Sequence, residues 1–233
     1  MTPKNVSRET RKNWETMPLE TLLTEAAGGL NVNLGQEQVA LLLAFLAELH
    51  RWNEKINLIG PSTMAHTVVR HLADSLSPLP FLSARSLRVL DLGSGAGLPG
   101  LVLKILRPEW RVTLAESNRK KAAFLKETAR KLSLKKIDVL PARMGQRPEP
   151  LPLGGFDLIT ARALAPLRGL LPLARPYLSP GGTILAYKGP RAQQELKDAE
   201  QTSADQGLIL TRQEKFKLPF LNHQRSLLFF EIS

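Results

Sequence analysis

Residues Asp91 to Gly100 read DLGSGAGLPG, and the rest of the chain is organised around them. Leu87, Val89 and Leu90 precede the stretch and form an apolar run of strand character. Four glycines, Gly93, Gly95, Gly97 and Gly100, follow within eight residues, and an apolar segment of helical character begins at Leu98. A strand that ends in glycine and feeds a helix brings bare backbone close to a ligand. Pro99 suits the first turn of that helix, where its missing N–H leaves nothing unsatisfied.

Two cofactor readings compete for this loop. Gly95, Gly97 and Gly100 fit the G-x-G-x-x-G of a dinucleotide fold, so a nicotinamide oxidoreductase is one alternative. The first of those glycines lies several residues past the strand, whereas a dinucleotide turn follows its strand directly. Asp91 stands at the strand end. An acid followed by G-x-G-x-G is similar to the first motif of class I methyltransferases that use S-adenosylmethionine.

Alternation of strands and helices from Leu87 onward predicts a mostly parallel sheet. Strands are expected at Arg88–Leu92, Arg111–Ala115, Ile137–Leu140, Phe156–Ala161 and Thr183–Tyr187. The helices between and after them are expected at Leu98–Leu106, Asn118–Lys131, Pro166–Leu178 and Ala192–Ala204, with Pro172 and Pro176 bending or breaking the third. Pro180, Gly181 and Gly182 read as a turn, and Pro141, Pro148, Pro150 and Pro152 as a loop. Leu208–Phe216 and Ser226–Ile232 have no helix between them and are expected to pair antiparallel. Roughly the first 80 residues read as helical: Leu19–Ala27, stopped by Gly28 and Gly29, then Gln36–Asn53, then a helix opened by Pro61 with Ser62 as its cap and ending before Pro78. Residues 1 to about 16 read as a polar, basic arm. The predicted organisation is a helical extension over 1–80 and an α/β domain over 81–233.

Thirty-two Lys and Arg against 21 Asp and Glu leave a formal charge of +11, which points to a polyanion, nucleic acid first. The chain has no cysteine, which excludes disulfides and thiolate metal sites and agrees with a cytosolic protein. The four histidines are scattered, so no metal is expected. No apolar run is long enough to span a bilayer, and the start lacks the apolar core of a signal peptide.

Glu116 ends the second strand, 25 positions after Asp91, where a carboxylate can accept both hydroxyls of a ribose. Asn118 is a candidate cap for the next helix. Arg143 and Met144 lie past the third strand, where Met144 can pack on an adenine ring. Arg162 leaves the fourth strand, where it can hold a phosphate, a carboxylate or the O6 and N7 edge of guanine. Lys188 and Gly189 leave the fifth on the same rim. His71 and Asp74 share a helix face. Arg51, Lys55, Arg70, Arg162, Lys188, Arg191 and Arg225 are candidates for one basic rim. No nucleophile elbow and no P-loop is present.

With WNEKINL (Trp52–Leu58), RHLADSL (Arg70–Leu76), LAESNRKKAAFL (Leu114–Leu125), ARA (Ala161–Ala163) and YKG (Tyr187–Gly189) added to the glycine loop, the chain resembles one family. It is the bacterial small-subunit ribosomal RNA guanine-N7 methyltransferases, also called glucose-inhibited division protein B. The resemblance implies a class I, Rossmann-like methyltransferase with a seven-strand, mostly parallel sheet and an N-terminal helical extension. It implies S-adenosylmethionine as cofactor and N7 of one guanine in 16S rRNA, free or in the small ribosomal subunit, as target. No catalytic general base is implied, since guanine N7 carries a lone pair and no proton. Carried onto this chain, the cofactor residues are Gly93, Gly95, Leu98, Glu116, Ser117, Asn118, Met144, Gly145 and Arg162. The RNA residues are Arg70, His71, Arg162, Lys188 and Arg225. Two positions depart from the family pattern: Ala161, where Ser is frequent, and Gly145, where an acid is usual. A cytoplasmic monomer is expected. The alternatives from other classes are the nicotinamide oxidoreductase, a non-catalytic RNA-binding module and a small-molecule methyltransferase.

Overall fold

A computed structural model describes residues 14–145, 151 and 153–233. Most of the basic arm, and Pro148, Pro150 and Pro152 of the proline-rich loop, lie outside the described residues. Seven strands form one sheet: β1 Arg88–Leu92, β2 Arg111–Ala115, β3 Ile137–Leu140, β4 Phe156–Arg162, β5 Leu178–Lys188, β6 Leu208–Lys217 and β7 Gln224–Ile232. Their order is β3-β2-β1-β4-β5-β7-β6. The first five run parallel, and β7 lies antiparallel between β5 and β6. The expected seven-strand, mostly parallel α/β sheet is therefore present. The connection reverses direction between β1 and β4, which opens a ligand crevice at their carboxyl ends.

β5 differs from its expected bounds. Phe156 pairs with Leu178 and Leu158 with Thr183, so Pro180, Gly181 and Gly182 form an irregularity within one long strand. Gly181 adopts φ +70°, and a side chain on Gly182 would meet the carbonyls of Phe156 and Ser179. The glycines absorb extra residues without ending the strand.

The helices are α1 Leu19–Gly28, α2 Gln36–Asn53, α3 Met64–Thr67, α4 Ala73–Leu76, α5 Gly100–Leu106, α6 Arg119–Lys131, α7 Leu167–Ala174, α8 Ala192–Asp198 and α9 Glu200–Asp205. A π-helical turn, Val68–Leu72, joins α3 to α4. The α3 cap is Thr63, not Ser62; its hydroxyl accepts the His66 N–H at 3.2 Å. α5 starts at Gly100 rather than Leu98, after a cis Leu98–Pro99 bond. The single helix expected over Ala192–Ala204 is two, parted at the buried Ala199. α7 runs through Pro172 and gives way to a 3-10 turn at Arg175–Tyr177.

Neighbouring strand residues point to opposite faces, so both faces of the sheet must be covered. Val89 and Leu158 join a core with Leu42, Phe45, Leu46 and Leu72 of the N-terminal helices. Leu90 and Ile159 join a second core with Leu170 and Leu171 of α7. Full burial of each such side chain contributes about 1.5–3 kcal/mol.

Asp91 ties the layers together. It is 1% exposed. Thr160 on β4 donates its hydroxyl to one carboxylate oxygen at 2.7 Å, and the Gly100 N–H at the start of α5 donates to the other at 3.2 Å. Burial pushes the Asp91 carboxyl up to about 6, against the lowering effect of those donors. Gly100 is small for the same reason: a Cβ there would lie 2.6 Å from Asp91 Oδ2 and against Leu114.

Gly100→Ala should therefore cost about 1–3 kcal/mol in thermal or urea unfolding, as overpacking does. Gly28→Ala, with nothing within 4 Å of the added methyl, should be neutral or stabilise by up to about 1 kcal/mol. Asp91 also makes a pH prediction. Its folded pKa is raised, so its contribution is complete below about pH 4 and is lost as pH rises through about 6. Relative to Asp91→Asn, the wild type should lose on the order of 2–3 kcal/mol between pH 4 and 7 and nothing further above. Urea unfolding of both proteins across that range measures it.

Candidate cofactor loop and substrate cleft

The carboxyl ends of β3, β2, β1 and β4 lie side by side in that order. After β1, Gly93, Gly95 and Gly97 take φ of +68°, +55° and +77°, a region that disfavours any side chain. The N–H groups of Gly93 and Ser94 donate to the Ala115 carbonyl at 2.9 and 3.0 Å, which fixes the loop to the end of β2. The glycines divide the work. A Cβ on Gly97 would strike Leu101, so Gly97 serves packing. A Cβ on Gly95 would meet only the Gly93 carbonyl, at 3.7 Å, so its main chain faces open space.

Glu116 closes this loop from β2. One carboxylate oxygen accepts the Gly95 N–H at 2.8 Å and the other the Asn118 N–H at 2.7 Å. An ionised carboxylate has about four acceptor sites, so each oxygen keeps capacity for a further donor such as a hydroxyl. Asn118 caps α6, its side-chain oxygen accepting from the Lys120 and Lys121 N–H groups. Ser117 is exposed on the rim. Beyond β3, Met144 is half-buried against the core under β4 and β5. Gly145 has φ +75°, and a Cβ there would lie 2.8 Å from Leu173. The Leu98 side chain is 4% exposed and packs in the core beneath the loop, which leaves its main chain as the part that could face a ligand.

On the far side of the loop is a cleft of about 560 Å³. Arg70 and His71 from the π turn, Arg162 from β4, Lys188 from β5 and Arg225 from β7 all line it. Arg191 does too. The five expected RNA residues, dispersed through the sequence, thus share one hollow. Arg51 and Lys55 do not line it, so the expected single rim divides. Arg51 lies on α2, 2.6 Å from Glu48 and over the Trp52 ring.

Most of the cleft cations are already paired. Arg162 contacts Asp74 at 3.2 Å and the His71 carbonyl at 3.4 Å. Arg225 contacts the other Asp74 oxygen at 3.3 Å. The buried Asp74 therefore bridges two guanidiniums and ties α4 to β4 and β7. Lys188 is 8% exposed and donates to the Ala165 carbonyl at 2.7 Å while 2.8 Å from Glu195. Glu195 also accepts the Leu167 N–H. Lys188 is thus a brace for the β4–α7 loop as well as a residue of the cleft. His71 is pushed down to about 3 by burial and by the charges of Arg162, Arg70 and Arg225. The Tyr187 hydroxyl is buried beside this network without a hydrogen-bond partner among the described residues.

Leu164 had no signal in the sequence. It follows Ala163, at φ +56°, and is 40% exposed. A Cβ on Gly93 would lie 2.7 Å from Leu164 Cδ1, so this leucine rests on the glycine loop. It also lines the cleft, and so stands between the two. Within an apolar ALAPL run, only its place just beyond the fourth strand marks it. Among the described residues no three His, Asp or Glu gather as a metal site, and no helix is long and apolar enough to cross a membrane.

Known proteins match this arrangement. The family described as rRNA small subunit methyltransferase G, GidB, matches residues 38–227. A ribosomal RNA small subunit methyltransferase G of Burkholderia multivorans is 37% identical over 212 residues, covering 90% of this chain and 91% of the relative. Its counterpart in Halorhodospira halophila is 43% identical over 169 residues, covering 72% and 78%. Among solved structures, a SAM dependent methyltransferase from Aquifex aeolicus has a similar fold, with a TM-score of 0.56 at 16% identity over 80% of this chain and 98% of that one. Together with the glycine loop, Glu116 and the arginine-lined cleft, these matches show that the chain belongs to the rRNA small subunit methyltransferase G (GidB) family.

Proposed function

We propose that this protein transfers a methyl group from S-adenosylmethionine to N7 of a guanine in small-subunit rRNA. One observation carries the reading: a glycine loop open to ligand abuts, through Leu164, a cleft lined by arginines. The residues fit the cofactor. Gly95 leaves its main chain bare, Glu116 keeps acceptor sites beside it, and Met144 offers an apolar side chain at the next strand end. Glu116 would hold the ribose hydroxyls, Met144 and Gly145 the adenine side, and Gly93 and Gly95 the methionine portion. When bound, S-adenosylmethionine supplies an electrophilic methyl group on a sulfonium.

The chain's own residues position the acceptor. Guanine N7 offers a lone pair and no proton, so no side chain has to remove one. Alignment can contribute roughly 7–11 kcal/mol. Leu164 would set the distance between loop and base and keep water from the gap. Arg70 and Arg225 would hold RNA phosphates, and Arg162 would shape the cleft through Asp74. In this reading the helical extension, 1–80, supplies Arg70, His71 and Asp74, and 81–233 supplies the cofactor side. The protein works as a cytosolic monomer, since one chain provides every group named. A nicotinamide enzyme has no use for the arginine cleft, and a non-catalytic RNA module has no use for Glu116 and the open Gly95.

Incubation with labelled S-adenosylmethionine and small ribosomal subunits or 16S rRNA should place label on N7 of one guanine. Label on another atom would refute the N7 assignment, and no label would refute the enzyme. Two variants should separate the halves of the site. Glu116→Ala should weaken S-adenosylhomocysteine binding about 10- to 100-fold by calorimetry, the worth of lost charged hydrogen bonds. Leu164→Ala should leave that affinity within about threefold and lower kcat about tenfold or more, with a smaller change in KM for RNA.

A further inference from the structure

The cleft does not account for the charge of the chain. Its five cations face two carboxylates, Asp74 and Glu195, which leaves a formal excess of three out of +11. A larger excess lies elsewhere. Residues 119–138 hold eight Lys and Arg against two acids, Glu127 and Asp138, an excess of six in twenty residues. They form α6, the turn that leads into β3 and the first two residues of that strand.

α6 buries one face. Ala122, Phe124, Leu125, Thr128 and Ala129 are inside. At 100° per residue, Arg119, Lys126 and Arg130 fall within roughly 40° of one another on the opposite face. All three are exposed, and Lys120 and Lys131 flank them. Arg130 is offset by Glu127 at 2.8 Å and Lys131 by Glu48 at 2.7 Å. Among the described residues, Arg119, Lys120 and Lys126 have no ion pair. The stripe starts three residues after Glu116, on the rim of the cofactor loop, and runs about 20 Å along the helix. Arg51, which the cleft leaves out, lies beside it: its charge is felt by Glu127.

We infer that the exposed face of α6 is a second RNA-binding surface, separate from the cleft, which grips the phosphate backbone of the substrate RNA away from the target guanine. The inference rests on the proposed function for the identity of the polyanion. Charge complementarity selects a polyanion for this face. Like charges packed along one helix face repel one another, and a row of phosphates removes that repulsion while releasing counterions. The cleft, where three of the five cations are held by Asp74 and Glu195, selects the base; the stripe supplies affinity that is independent of sequence.

The test is the triple variant Arg119→Gln, Lys120→Gln, Lys126→Gln, which keeps residues that suit a helix. Binding of a small-subunit rRNA fragment is followed by anisotropy from about 50 to 200 mM salt. Affinity at the low end should fall about tenfold or more, and the slope of log K against log salt should be shallower by about 2–3. Melting temperature, calorimetric binding of S-adenosylhomocysteine and methylation rate at saturating RNA should stay at wild-type values. A control triple on the far edge of the sheet, Lys197→Gln, Lys215→Gln, Lys217→Gln, removes the same charge and should change the slope much less. An unchanged slope in the α6 variant overturns the proposal, as does an equal effect of the control. So does loss of binding to phosphatidylserine vesicles with RNA binding intact, which would make the partner a membrane surface. Wild-type protein that binds RNA through α6 but methylates nothing would refute the enzyme and leave this surface standing.

Discussion

A buried carboxylate at the end of β1 holds the structure together. Asp91 accepts from Thr160 on one side and from the first N–H of α5 on the other. Those bonds join the two strands between which the sheet opens, and they fix where the glycine loop must turn. The arrangement costs something: burial raises the carboxyl to about 6, against the lowering effect of its donors. The Gly93 and Ser94 N–H groups then dock on Ala115, and Glu116 takes the Gly95 N–H. A loop of bare backbone is thereby held rigid before any ligand arrives, which lowers the ordering cost of binding one.

The cleft follows a different logic. Three of the cations that the sequence offers as RNA ligands are arranged around two acids. Asp74 links Arg162 and Arg225, and Glu195 links Lys188 to the loop that carries Leu164. Removing one partner of such a buried set leaves the others unpaired, which is far more costly than the pair is worth. The network therefore serves shape: it brings the π turn, β4, β5 and β7 to one place. Cations without an ion pair among the described residues remain at Arg70 and Arg191 in the cleft and at Arg119, Lys120 and Lys126 on α6.

Much of the fold is legible in the residues. Strand bounds at Arg88–Leu92, Arg111–Ala115 and Ile137–Leu140 agree with expectation, because apolar runs ended by glycine, an acid or proline leave little choice. The placement of the glycine loop, Glu116 and Asn118 follows from local pattern for the same reason. What the residues conceal depends on distance along the chain. Arg162 and Asp74 are 88 positions apart, and nothing local announces that they pair. Lys188 reads as a free rim cation until Glu195 folds back on it. Leu98 reads as part of the loop, but its side chain finds the core. The β5 irregularity misleads because Pro-Gly-Gly usually ends a strand, and here β4 and β7 hold it in the sheet.

The account stands on one ligand lying across the ends of β1 and β2, with bare main chain on one side and Glu116 on the other. Calorimetric titration of the purified protein tests it most directly. Heat of binding should appear with S-adenosylmethionine and S-adenosylhomocysteine and be absent with NADH. Binding of NADH, with none of either sulfur compound, would contradict the account.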